Sequence, residues 1–142
     1  MEEYGLAPFA VSENWQVSHT DYGQLGTAQL REGRPPSAIF AGNDELAAGT
    51  WKKLTKRKVS IPKTISLIGL GDRAEFAILD PALSSISVFE DQLGERLTTM
   101  PLARIEDPTQ DPVSETYPCK LVERASCAPF AEGRNVQEII TS

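Results

Sequence analysis

The strongest constraint in this sequence is a pair of short apolar runs with one well-marked helix between them. Residues 37–41 read SAIFA and residues 65–68 read ISLI. Both have the length and composition of strands that fill a sheet interior. Between them, Leu46, Thr50 and Leu54 fall on one helical face, with Ala47 and Trp51 beside them. Asn43 stands where that helix needs an N-cap, because its side-chain oxygen can accept one of the unpaired N–H groups of the first turn. Asp44 and Glu45 occupy the first turn, and Lys52, Lys53, Lys56 and Arg57 the last turns. Both groups suit the helix dipole. Strand, helix and strand in that order predict an α/β fold with a mainly parallel sheet. Ligands of such sheets sit in loops beyond the carboxyl ends of the strands. Residues 42–43 and the tight loop of residues 69–72 are therefore the places to look.

The rest of the chain extends the alternation. Residues 1–5 read as the end of a helix closed by Gly5. Phe9, Val11 and Trp15 give residues 8–15 the period of a strand. Ser18 offers an N-cap, with Asp21 as a weak capping-box partner, for a helix to about Glu32, stopped at Gly33, Pro35 and Pro36. Residues 75–79 allow at most a short helix before Pro81, and residues 84–88 form a strand. Leu93, Leu97, Met100 and Ile105 mark a helix over residues 91–106, which Pro101 should kink or break. Residues 113–117 and 120–124 alternate as two short strands or one bent strand, and residues 135–140 read as a frayed tail.

Charge and motif content exclude several functions. The formal net charge of -6 opposes a direct grip on nucleic acid, since phosphate contacts need a basic face. No apolar run has the length of a membrane span, and residues 1–4 lack the features of a signal peptide. Cys119 and Cys127, without a metal-type cluster, suit a reducing cytoplasm, with a disulfide between them as the less favoured alternative. No metal-ligand spacing and no nucleophile–base pattern is present. His19 is the sole histidine, and beside a capping box a surface or packing role outweighs catalysis. Gly69-x-Gly71-x-x-Ala74 after a strand, with Glu90 further on, meets the loose dinucleotide fingerprint. It leaves barely two helical turns before Pro81, too little for the usual helical crossover. Nicotinamide binding, and with it any cofactor, is not expected.

Four stretches then carry a resemblance. Residues 36–49, PSAIFAGNDELAAG, resemble a P-S/T-A-I/V-F run leading into N-D-x-x-A-x-G. Residues 61–69, IPKTISLIG, resemble V-P-x-D-I/V-S-V/L-I/V-G. Residues 81–86, PALSSI, resemble P-x-L-T-T-I/V, with Leu93-Gly94 at the usual distance. Residues 121–127, LVERASC, resemble a closing L-V/I-x-R-x-S-C/T. Together, in this order, they are similar to the effector-sensing core of LacI/GalR-type transcriptional regulators.

That resemblance implies one truncated lobe of a type I periplasmic-binding-protein-like fold, α/β in three layers. A DNA-binding headpiece and most of a first lobe would lie before Met1. Residues 1–88 would form the C-terminal lobe, residues 89–118 a segment belonging to the first lobe, residues 119–130 the return, and residues 131–142 a tail. Leu93, Leu97, Met100 and Ile105 would then lack their normal partner and pack less well than residues 1–88. The implied protein is a cytoplasmic homodimer, not an enzyme. It would bind a small sugar-like or nucleoside-like effector, touch DNA only through the headpiece, and touch no membrane. Asn43 and Asp72 match effector-facing positions of the family. Gly71 stands where the family has an acid, Val88 where it has a glutamine, and Trp15 neighbours the usual aromatic position. The alternatives are a sugar-binding transport protein of the same fold and, third, a small nucleotide-dependent enzyme.

Overall fold

The computed structural model describes residues 18–29, 36–109 and 111–129. The expected helix end over residues 1–5, the strand over residues 8–15 with Trp15, and the tail from residue 131 lie outside them. The described elements are α1 (His19–Gln29), β1 (Ala38–Phe40), α2 (Asp44–Lys56), β2 (Ser66–Leu70), β3 (Ser84–Ser87), α3 (Glu90–Glu106) and β4 (Lys120–Val122). The sheet order is β1-β2-β3-β4. β1 and β3 both run parallel to β2, with Ile39 opposite Leu67 and Gly69 opposite Ser85, and β4 is antiparallel to β3. The mainly parallel α/β sheet expected from the alternation is present.

The best-marked helix forms as its caps dictate. Asn43 Oδ1 accepts the Leu46 N–H at 2.7 Å, and Ala47, Thr50 and Leu54 are buried. Ser18 Oγ accepts the Asp21 N–H at 3.2 Å and donates to Asp21 Oδ2 at 2.7 Å, so Ser18 caps α1. Ala41, Ala47, Leu67 and Leu83 form one buried cluster, and Leu54, Val59 and Ile65 a second, with Ile39 and Ile61 packed against both. Leu54, Ile65, Leu67 and Leu83 are fully buried, worth about 1.5–3 kcal/mol each relative to exposure.

The closing segment is stitched into the sheet by its own motif. Ser126 is buried; its Oγ donates to the Leu67 carbonyl at 2.5 Å and accepts the Ser84 N–H at 2.8 Å. The Leu67 N–H donates to the Ser126 carbonyl, and the Ser126 N–H to the Ala82 carbonyl. The half-buried Cys127 places Sγ 3.3 Å from the Leu67 carbonyl. Both cysteines are free thiols, Cys119 exposed.

Several expectations need correction. Residues 37–41 do not form a buried strand: β1 is three residues long and is an edge strand of the described sheet, and Phe40 is 60% exposed. The loop expected from Gly69 begins later, because pairing with β3 carries β2 to Leu70. α3 neither starts at Asp91 nor breaks at Pro101. A proline removes one backbone hydrogen bond, and the turns on either side supply enough others to carry the helix through. Residues 113–117 form no strand, because only residues 120–122 of this stretch find a partner, in β3.

α3 contains no buried residue. Leu97, Leu102 and Ile105 are 62%, 53% and 73% exposed, so the apolar spacing read from the sequence faces largely outward. Arg96 holds Glu115 of the following segment, with Nε to Oε2 at 2.8 Å, and the Tyr117 hydroxyl joins the same carboxyl. Arg96 keeps the Glu115 carboxyl below its ordinary range, and desolvation, ahead of Glu115, pushes the Tyr117 phenol up.

α1 packs on α2 through glycine. A side-chain carbon on Gly49 would collide with the Thr20 carbonyl, and one on Gly23 with the Leu46 carbonyl. Thr50 Oγ1 donates to the Gly23 carbonyl at 3.3 Å across the same contact. Alanine is the better helix former by about 1 kcal/mol, yet Gly49→Ala is expected to destabilise the chain by about 1–3 kcal/mol, the usual range for overpacking. Urea denaturation measures this; a gain in stability would show that α1 is not seated on Gly49.

Candidate functional site

Three parallel strands bring their carboxyl ends to one rim. β1 leads to Asn43, β2 to Gly71, Asp72 and Arg73, and β3 to Phe89 and Glu90. Backbone of the left-handed kind collects here: φ is +124° at Gly71, +56° at Asp72 and +52° at Phe89. Glycine adopts it freely and aspartate tolerates it. A phenylalanine in this region is a genuine outlier.

Asp44 holds the rim together. The sequence offered it as a first-turn acid suited to the dipole, but it is 1% exposed. Its Oδ1 accepts the Ser85 hydroxyl at 2.6 Å and its Oδ2 accepts the Arg73 N–H at 2.8 Å. Ser85 Oγ in turn accepts the Asp72 N–H at 3.0 Å. A buried carboxyl demands such partners, since burying it unpaired costs several kcal/mol. Gly69 makes room: a side-chain carbon there would strike the Asp44 carboxyl. The start of α2, the end of β2, the loop after it and β3 thus meet at one side chain.

The polar surface is built on that anchor. Asp72 Oδ1 pairs with Arg124 Nη2 at 2.6 Å, both side chains mostly buried, and Arg124 Nη1 donates to the Leu83 carbonyl at 2.8 Å. Arg73 pairs with Glu45 and, at 2.5 Å, with Glu75, and lies 5.9 Å over the Phe76 ring. Glu75 first, then Glu45 and Glu90, hold the Arg73 guanidinium protonated; the Glu75 carboxyl is kept below its ordinary range by its own backbone N–H and by Arg73. Asn43 Nδ2 lies 3.2 Å from His19 Nδ1, and Glu45 Oε2 lies 3.5 Å from that same nitrogen.

Of the residues singled out from sequence, Asn43, Gly71 and Asp72 share this rim, and Asn43 does cap its helix. Trp15 lies outside the described residues. Asp44, Ser85 and Arg124 were not singled out. The N-D dipeptide and the R-x-S-C motif carried Asp44 and Arg124 as pattern, but their burial and pairing join residues far apart in sequence. The loop after β2 leads only into a single 3-10 turn, Ala74–Phe76, so it presents no α-helix N-terminus of the kind that holds a dinucleotide pyrophosphate. Among the described residues no group of three acidic, histidine or cysteine side chains could hold a metal ion, and no helix is long and apolar enough to cross a membrane.

Asp44→Asn replaces one acceptor oxygen by a donor that must face either Ser85 or the Arg73 N–H. A loss of about 1.5–3 kcal/mol is expected, the range for hydrogen bonds to charged groups. Faster amide exchange at Asp72 and Arg73 should accompany it; unchanged stability and exchange would remove Asp44 from its anchoring role.

The sequence matches the periplasmic binding protein-like domain family over residues 1–127. It is 34% identical over 141 residues to the HTH-type transcriptional repressor PurR of Klebsiella pneumoniae, covering 94% of this chain and 41% of the repressor. It is 31% identical over 91 residues to the HTH-type transcriptional regulator GalR of Lacticaseibacillus casei, covering 64% of this chain and 28% of that protein. The chain thus spans less than half the length of these relatives. The fold is similar to a LacI family transcriptional regulator from Enterococcus faecalis solved with bound ribose, with a TM-score of 0.72 and 31% identity over 79% of this chain and 42% of that one. A sugar-binding LacI family regulator from Escherichia coli, complexed with phosphate, gives a TM-score of 0.72 at 28% identity, over 90% of this chain and 46% of that one. These relatives are transcriptional regulators rather than enzymes. The chain belongs to the periplasmic binding protein-like domain family and corresponds to part of the sensor domain of LacI-type transcriptional regulators.

Proposed function

We propose that this rim is one wall of an effector site in a DNA-binding, LacI/GalR-type regulator, and that the bound molecule is small, polar and sugar-like or nucleoside-like. The observation that carries this reading is the convergence of Asn43, Gly71, Asp72 and Arg73 at the carboxyl ends of neighbouring parallel strands, the ligand position of such sheets. Asn43 offers a donor and an acceptor to hydroxyl groups. Asp72, already aligned by Arg124, offers a carboxyl acceptor, and such acceptors make stronger hydrogen bonds than neutral ones. Gly71 brings backbone close to the ligand, and Trp15 is the aromatic candidate. The similarity to a regulator solved with ribose supports this ligand class.

In this reading the site performs no chemistry. Its function is differential affinity, since a ligand shifts a conformational equilibrium only by binding one state better. Residues 89–118 belong to the facing lobe, which explains the exposed Leu97, Leu102 and Ile105 of α3. The whole regulator is a cytoplasmic homodimer, and its DNA contacts come from a headpiece outside this chain.

Nuclear magnetic resonance titration of the chain with D-ribose tests the reading. Shifts are expected at Asn43, Gly71, Asp72 and Arg73 and not along α3. Asn43→Ser separates binding from capping, because serine caps about as well as asparagine. Stability within about 0.5 kcal/mol of the parent is expected, with affinity roughly tenfold to a hundredfold weaker. Unchanged affinity in both Asn43→Ser and Asp72→Ala would refute the assignment.

A further inference from the structure

The Asn43 amide has a fixed orientation, and a proton on a neighbouring ring decides whether that orientation is favourable. Asn43 Oδ1 is identified by the Leu46 N–H it accepts at 2.7 Å. The other end of the amide, Nδ2, is a donor only, and it is the atom that lies 3.2 Å from His19 Nδ1. This contact is a hydrogen bond only when His19 Nδ1 carries no proton, which requires a neutral ring with its hydrogen on Nε2. On protonation Nδ1 becomes a donor facing a donor. An acceptor for the new N–H stands close by: Glu45 Oε2, 3.5 Å from the same nitrogen. Glu45 also pairs with Arg73 from the loop after β2, and Asp21, on the same helix as His19, is engaged by Ser18 and Gln24. Glu45 is thus a charged group that the His19 ring faces across the α1–α2 contact.

We propose that His19 is a positioning residue for the effector-facing amide of Asn43, and that its protonation switches this part of the rim between two hydrogen-bond arrangements. Neutral His19 holds Asn43 Nδ2 and leaves the amide aligned on its helix cap. Protonated His19 turns to Glu45 and repels Nδ2, so that the amide loses its alignment. The proposal rests on the reading of Asn43 as an effector contact and adds a pH dependence to it. The affected residues join α1 to the start of α2, so the switch is local to the rim.

Because His19 is the sole histidine, its ring nitrogens give unambiguous signals in nitrogen-15 spectra of the full 142-residue chain. At pH 8 the Nε2–H form is expected. On lowering the pH to 5.5 the Asn43 side-chain amide signals should shift with the same midpoint as the ring. D-Ribose affinity should fall about three- to tenfold over the same interval, the loss of roughly one neutral hydrogen bond. In His19→Gln, whose exposed position spares the core, neither the Asn43 amide nor the ribose affinity should respond to pH. A neutral ring in the Nδ1–H form, an Asn43 amide indifferent to His19 titration, or equal wild-type ribose affinity at the two pH values would overturn the proposal. Absence of ribose binding at both pH values would instead overturn the sugar reading, while the ring and amide signals still decide whether His19 positions Asn43.

Discussion

The architecture of the rim depends on placing one carboxyl group, that of Asp44, in the interior with every strong partner supplied by backbone or hydroxyl. The partners come from different elements: the Arg73 N–H from the loop after β2 and the Ser85 hydroxyl from β3. Ser85 in turn takes the Asp72 N–H. A buried acid this close to a strand is possible only where the strand has no side chain, and β2 has Gly69 at that point. Neighbouring strands could be joined by any polar loop. Here they are joined through a group whose desolvation penalises any arrangement that leaves it unpaired. Asn43 precedes Asp44 in the chain and the Asp72 N–H is held by Ser85, so both positions are tied to that requirement.

The same economy runs outward. Arg124 clamps Asp72 and the Leu83 carbonyl, and Ser126 spans β2 and the start of β3. The chain therefore returns after α3 to lock the strands it left. Gly23 and Gly49 let α1 lie against α2, which brings His19 to Asn43 and Glu45. α3 is the exception. It has no buried residue, and its principal polar tie is from Arg96 to Glu115 on the segment that follows it. Among the described residues its Leu97, Leu102 and Ile105 side chains are largely exposed.

What could be read from the sequence was what local physics decides. α2 was legible because its cap, its apolar face and its charge distribution agree. β2 was legible because its apolar run is short, punctuated and later proves central in the sheet. β1 has a similar run, but edge position is a property of neighbours, and nothing within SAIFA distinguishes an edge from an interior strand. The alternation in residues 113–117 was equally sound locally and fails for lack of a partner strand. Pro101 predicts a break only where the surrounding turns cannot hold the helix.

The site was legible in part for the same reason. The N-D dipeptide and the Gly-rich loop marked two segments that the fold brings to one rim, since both stand after neighbouring parallel strands. Asp44 was hidden because an acid in a first helical turn is ordinarily a solvated dipole partner. Its burial is set by Gly69 and Ser85, both distant in sequence. Arg124 was hidden in the same way, its partner Asp72 being more than fifty residues earlier in the chain. For His19 the sequence leaves a surface and a packing role open, and it is exposed; what makes it informative is the ring nitrogen close to both Asn43 and Glu45.

Asp44 and Ser85 act as one unit that fixes the rim. A double-mutant cycle of Asp44→Asn and Ser85→Ala, read by urea denaturation, measures that coupling directly. An interaction energy of about 0.5–3 kcal/mol is expected, as for residues sharing a hydrogen-bond network. Additivity of the two substitutions to within about 0.3 kcal/mol, the behaviour of independent sites, would contradict it.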